Sequence, residues 1–216
     1  MPQPEPLAID VISDVVCPWC YVGKKRLEAA LALVPEIKTE VRWRPYQLDP
    51  TIPPEGVSRR AYMEKKFGSL DAIKLAHDRL NALGQELGIA FNFSGILISP
   101  NTLDAHRMIR WAFGNRQDAM VEALFRAFFV DAKNLADANV LTEIGVSAGF
   151  PREALTALLQ SDEDKNTVRD EIAAAQNLGI QGVPFFIFGQ KYAVSGAETA
   201  EHLASAIRQA TAAPAA

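Results

Sequence analysis

Apolar and polar positions alternate with two different periods along the chain. Leu7 to Ser13 is a short run rich in β-branched residues that ends polar, the pattern of a strand with little exposed surface. Leu27, Ala30, Leu31 and Val34 then recur at helical spacing, with Lys24, Lys25 and Glu28 on the side expected to be wet and Pro35 as the stop. Val41 to Tyr46 alternates apolar and charged residues, which predicts a second strand with one exposed face. Pro45 cannot donate to a ladder and puts that strand's end or a sheet edge there.

From about Ser58 to Asp164 the periodicity is helical only. Leu70, Ile73, Leu80, Leu83 and Leu87 form one stripe, on which His77 also falls as a hydrogen-bonded core residue. Asn101 can cap a further helix, with Asp104 suiting its electropositive first turn. Met120/Val121, Leu124/Phe125 and Phe128/Phe129 repeat every four residues, and Glu122 and Arg126 are spaced to pair on the outer face. Pro151 fits the first position of a short helix through Leu159.

After a last amphipathic helix carrying Val168, Ile172 and Ala175, strand signals return. Val183 to Phe188 is apolar throughout, which implies burial on both faces, and Gly189-Gln190 turns it into Lys191 to Ser195. Glu198 to Gln209 closes the chain as a helix, and the Ala-rich tail from Ala210 to Ala216 is expected to fray. The element order predicts an α/β fold, a mixed sheet with helices on both faces and one large all-helical excursion.

Composition narrows the function. The 216 residues are 49% hydrophobic and 22% charged, which excludes a disordered chain or a coiled-coil rod. A net charge of −4 argues against a surface that tracks nucleic acid or anionic lipid, and the sequence has no apolar run of bilayer length. Met1 to Pro6 shows neither a basic stretch nor an apolar one, so a cytoplasmic protein without a secretory leader is expected. In that reducing setting a cysteine pair is more often catalytic or metal-binding than structural.

The only two cysteines, Cys17 and Cys20, enclose Pro18 and Trp19 between a predicted strand and a predicted helix. A bridge this short closes almost no loop, so stapling is not its purpose. At a helix start, unpaired backbone N–H groups and the macrodipole favour a thiolate on Cys17, and Pro18 has no N–H to leave unpaired. A free thiol of pKa ~8.5 is only a few per cent ionised at neutral pH, and each unit of lowering is worth ~1.4 kcal/mol. Cys20, one turn on, can attack a mixed disulfide and release the partner. A zinc half-site would need further ligands, and His77, His106 and His202 form no ligand-like pair, so no metal is expected.

Ser13 to Lys24, Asn101 to Arg107, and Gly182 to Phe186 through Val194 to Ala197 together resemble the FrnE-like branch of the DsbA family, over nearly the whole chain. The resemblance implies a thioredoxin fold made of residues 1–57 and 165–216, with a helical insertion domain at 58–164 that caps the active site. It implies a thiol–disulfide oxidoreductase. Two alternatives remain open: a glutathione-dependent isomerase or transferase acting on a small aromatic or polyketide-like substrate, and a non-catalytic module that binds extended peptide. Related isomerases and kappa-class glutathione transferases typically carry serine in place of Cys17, so their chemistry does not transfer directly.

The resemblance further implies that Val183-Pro184 is the family's cis-proline turn, leaving the Val183 backbone to pair with peptide or glutathione beside Cys17. Gly182 is expected to permit close approach to the cysteines. Pro18, Trp19, Val183, Pro184, Asn101 and His106 are the expected substrate-binding residues. The acid that thioredoxin-like enzymes place six residues before the first cysteine is Val11 here, which leaves Asp14 as a candidate proton relay, or else a solvated carboxylate capping its loop. Trp19 stands where DsbA has histidine, so strongly oxidising behaviour does not follow. Expected partners are protein or small-molecule thiols and disulfides, with glutathione as a co-substrate and no tightly bound cofactor.

Overall fold

The computed structural model describes residues 5–112 and 114–212. Most of the expected Ala-rich tail and the start of the chain that bears on a leader lie outside the described residues. Strand β1 (Leu7–Ser13), helix α1 (Pro18–Ala32) and strand β2 (Thr39–Pro45) form a β-α-β unit whose strands pair in parallel, Val11 opposite Trp43. Strands β5 (Phe185–Phe188) and β6 (Tyr192–Ser195) complete a four-stranded sheet in the order β2-β1-β5-β6. The β1–β5 and β5–β6 pairs are antiparallel, the latter joined through Gly189 and Gln190, both at positive φ as a tight hairpin turn requires. This numbering counts the short β3 (Val57–Ser58) and β4 (Ile98–Ser99) of the central segment.

Alternation along β1 and β5 sends their side chains to two different layers. Ile9, Val11, Phe186 and Phe188 enter one extended core with α1 and the final helix, while Ile12, Phe185 and Ile187 face Tyr46, Ala175 and Ile180 on the other side. The apolar run at 185–188 is thus covered on both faces.

Between β2 and β5 lie α2 (Arg59–Phe67), α3 (Leu70–Leu87), α4 (Leu103–Trp111), α5 (Gln117–Phe129), α6 (Ala138–Ser147), α7 (Arg152–Gln160) and α8 (Lys165–Asn177), and α9 (Ala200–Ala212) ends the described chain. This segment is not helical throughout. Val57 pairs with Ser99 and Ser58 with Ile98, a two-residue ladder too short to leave a period in the sequence. Helix α3 buries Leu80 but leaves Leu70 exposed at its first turn, so the stripe meets the core only through its later half. Pro151 serves as the N-cap of α7, one position before the helix.

Two charge assignments change in the folded chain. Lys24 is buried, not wet, because α5 packs across that side of α1 and supplies Asp118 and Glu122 at 3.0 and 3.1 Å. Glu28 of α1 also contacts the ammonium. Glu122 meets Tyr21, Lys24 and Lys25 rather than Arg126. The spacing within α5 carried no information about a partner helix ninety residues away.

Candidate active site

Cys17 is the N-cap of α1, in extended conformation, with Pro18 at the first helical position. Its backbone N–H donates to the Asp14 carbonyl at 3.0 Å, and its own carbonyl accepts from Cys20 N–H at 3.0 Å, so the cysteines bracket a tight first turn. Both thiols are free and buried, Cys17 at 5% exposure and Cys20 fully enclosed. Burial pushes the Cys20 thiol well above the usual range; its hydrogen bond to Cys17 and the Cys17 charge add to the rise, and contacts from the Asp14 backbone and Ser13 oppose it. A protonated, enclosed Cys20 beside a Cys17 at a helix start is an asymmetric pair.

The Val183–Pro184 peptide bond is cis, and the Val183 carbonyl accepts from the Cys17 thiol at 3.5 Å. That carbonyl is therefore engaged with the cysteine in the free protein. Close approach here depends on Gly23 rather than Gly182. A Cβ at Gly23 would lie 2.8 Å from Pro184 Cγ and 3.2 Å from Phe186, whereas one at Gly182 would meet nothing within 4 Å. The signal was present in the sequence only as a glycine inside a helix, where it costs stability unless a neighbour needs the space.

Asp14 is no solvated loop carboxylate. It is 1% exposed, and its Oδ2 accepts from the Leu48 N–H at 2.8 Å, tying β1's end to the segment after β2. Its Oδ1 has no hydrogen-bond partner and lies 3.4 Å from His106 Nε2.

A cavity of about 440 Å³ opens beside Cys17, and Asp14, Pro18, Trp19 and Val183 line it with mostly apolar neighbours such as Leu48, Met63 and Phe93. Trp19 is partly exposed. Asn101 and His106 do not line this cavity. Asn101 donates to Ile52 O at 2.6 Å and accepts from Leu103 N–H at 2.9 Å, and His106 Nε2 is 2.9 Å from Tyr46 O. Both brace the chain from 46 to 52. Sequence reasoning missed Arg59, Tyr62 and Lys66 as cavity residues, since α2 shows no pattern that distinguishes them from an ordinary wet face. His77 also lines the cavity, stacked on Phe93 at 4.2 Å, and its buried Nε2 has no hydrogen-bond partner, contrary to the expected satisfied core histidine.

A β-α-β unit, an antiparallel hairpin and a cysteine pair at the first helix start define a thioredoxin fold. The DSBA-like thioredoxin domain family matches residues 8–208, and the chain belongs to that family. It is similar to the crystal structure of a probable DsbA oxidoreductase from Streptomyces coelicolor, 32% identical, covering 97% of this chain and 92% of that one, with a TM-score of 0.89. It is also similar to the Bacillus subtilis protein YwbO, described as uncharacterized, 26% identical over 187 residues, 84% of this chain and 86% of that one. The fold extends to a cytosolic disulfide reductase, DsbM, from Pseudomonas aeruginosa solved with GSH, 20% identical, TM-score 0.62, covering 94% and 96% of the two chains. Family and neighbours support a disulfide oxidoreductase or isomerase. Among the described residues no helix is long and apolar enough to cross a membrane.

Proposed function

We propose that the protein is a thiol–disulfide oxidoreductase in which Cys17 attacks and Cys20 resolves. The observation that carries this reading is the asymmetry of the pair: Cys17 stands at the helix start facing a cavity, and Cys20 is enclosed with its pKa raised. The Cys17 thiolate attacks one sulfur of a substrate disulfide, that S–S bond breaks, and the departing thiolate takes a proton. A mixed disulfide through Cys17 remains. Cys20, once deprotonated, attacks the Cys17 sulfur and releases the second substrate thiol, leaving a Cys17–Cys20 disulfide and a substrate reduced by two electrons. Two equivalents of a thiol such as glutathione restore the dithiol and become a disulfide, and the same steps run backwards oxidise a dithiol substrate.

Pro18, Trp19 and Val183 form the rim that presents a substrate sulfur to Cys17, with Pro184 packed against Gly23 of α1 behind them. Asp14, a buried residue of the cavity wall whose backbone contacts Cys20, relays the proton that Cys20 must lose. Asn101 and His106 act as braces of the 46–52 segment rather than as substrate contacts. A reducing cytoplasm supplies the thiol co-substrate this cycle needs.

The test is Cys17→Ser against Cys20→Ser, assayed with a small disulfide and excess glutathione. Cys17→Ser is expected to lose at least ~10³-fold of the turnover, and Cys20→Ser to trap a stable mixed disulfide visible by mass spectrometry. Full turnover by Cys17→Ser would falsify the assignment.

A further inference from the structure

Asp14 Oδ1 is a buried side-chain atom without a hydrogen-bond partner, and it faces His106, a buried imidazole that the exchange steps leave unused. An orphaned carboxylate oxygen inside a protein costs free energy, so its presence calls for a reason. The other oxygen is already spent, because Oδ2 accepts from the Leu48 N–H at 2.8 Å. His106 Nε2 lies 2.9 Å from the Tyr46 carbonyl, and a carbonyl can only accept, so Nε2 carries the ring proton. Tyr46 is itself fixed: its N–H donates to Ser13 O at 3.0 Å and its hydroxyl to Ile180 O at 3.4 Å. The imidazole is thus committed to Tyr46, and Asp14 Oδ1 stands 3.4 Å from the same nitrogen.

That geometry lies between two unproductive extremes. A full hydrogen bond to Oδ1 would stabilise the anion and weaken it as a base, whereas an apolar neighbour would leave a buried charge with one oxygen bare. An N–H edge at 3.4 Å favours the carboxylate and still leaves the Oδ1 lone pair free to take a proton.

Other charged groups nearby are occupied or unsuited as bases. Beyond His106, Arg44 pairs with Asp10 at 2.7 Å, and Arg110 pairs with Asp164 at 3.1 Å and with Glu171. On the cavity wall with Asp14 and Cys17, Arg59, Lys66 and Arg79 are cations, and burial pushes the His77 imidazole down. Thr51 holds Asp49 below the usual carboxylate range, and burial with the Asp49 charge pushes the Tyr62 phenol up. Asp14 is the carboxylate left with an open oxygen.

We propose that His106 is the positioning residue of the resolving step: its Nε2–H, anchored on the Tyr46 carbonyl, holds Asp14 with Oδ1 open to receive the Cys20 proton. This rests on the thiol–disulfide reading and deepens it by assigning the accepting atom and what orients it. In the step, the Cys20 S–H proton passes to Oδ1, the Cys20 sulfur bonds to the Cys17 sulfur, and the bond from Cys17 to the substrate sulfur breaks. The substrate leaves as a thiolate, so the protein dithiol has lost two electrons and the substrate disulfide has gained them.

Stopped-flow reaction of the dithiol protein with 5,5′-dithiobis(2-nitrobenzoate) separates the two halves, since attack by Cys17 and resolution by Cys20 each release one coloured thiolate. At pH 7, His106→Leu is expected to slow the second phase at least about tenfold and to leave the first, which reports the fold, within about twofold. The deficit is expected to shrink as pH rises toward about 10 and Cys20 ionises without a base. His106→Gln, which keeps an N–H close to the place of Nε2, is expected to hold the second phase within about threefold of the parent. His106→Asn, equally polar but too short, is expected to show the loss that Gln does not, without burying a new apolar side chain. In an Asp14→Asn background, His106→Leu is expected to cost less than about twofold, because a residue that acts through Asp14 has nothing left to position. A second phase in His106→Leu within about twofold of the parent, equal losses in the Gln and Asn variants, or the same loss with and without Asp14 overturns the proposal. Absence of either phase in the parent rejects the exchange reading and the proposal with it, whereas a biphasic parent whose second phase ignores position 106 rejects the role of His106 alone.

Discussion

At the scale of single residues, the environment divides labour between two chemically identical thiols. Cys17 keeps a path to the cavity while Cys20 loses all contact with water, and burial holds Cys20 protonated across neutral pH. The sign follows: with a raised pKa, the thiolate fraction of Cys20, and hence release of the Cys17 mixed disulfide, climbs about tenfold per pH unit through neutrality. Quenched-flow measurement of that release between pH 6 and 10 is expected to show the climb continuing past ~8.5, where an ordinary thiol levels off. Asp14→Asn keeps the acceptor for the Leu48 N–H but removes the base. If Asp14 relays the proton, release at pH 7 falls by about 10²-fold and recovers toward the parent rate at high pH. A loss within twofold at pH 7 rejects the relay.

At the scale of elements, the α1–α5 contact both covers the active-site helix and neutralises what it buries. Lys24 enters with its side chain 2% exposed, and although burial alone would lower its pKa, Asp118, Glu28 and Glu122 outweigh that and raise it. Burial alone would raise Glu122, but the Lys25 hydrogen bond, the Lys24 charge and the Tyr21 hydroxyl hold it below the usual carboxylate range. Removing the cation leaves half-exposed carboxylates facing one another, so Lys24→Met is expected to cost about 1–3 kcal/mol in urea unfolding at pH 7. A carboxylate with a lowered folded pKa contributes stability that is present above its unfolded value of ~4.3 and is lost as pH falls through the folded value. The difference between parent and Lys24→Met therefore shrinks as pH drops below ~4, and a difference that widened there would contradict this account.

At the scale of the whole molecule, a single cluster of buried side chains runs from Ile9 and Phe186 of the sheet through Tyr21 of α1 to Phe125 and Phe129 of α5 and Leu155 of α7. The sheet and its inserted helices share this core, although they are separate in sequence. Urea unfolding followed by Trp43 on β2 and by Trp111 on α4, each in a variant with the other two tryptophans replaced by Phe, is expected to give coincident transitions. Midpoints that differ by more than the error would show that the helical segment unfolds alone.

The sequence by itself determined the local elements and the reacting pair. β1, α1, β2, β5 and β6 follow from period and turn chemistry, and Cys17 and Cys20 from a strand-to-helix junction with Pro18 at the helix start, because such signals are carried by residues a few positions apart. Only the tertiary structure decided which surfaces those elements share. Lys24 reads as wet until α5 lies over it, Gly23 reads as a weak helix residue until Pro184 packs against it, and Asp14 reads as a loop carboxylate until Leu48 closes on it. Arg59 and His77 line one cavity because α2 packs on both α3 and the β3–β4 ladder. Their charge and burial depend on neighbours distant in sequence, and no periodicity along a chain encodes those.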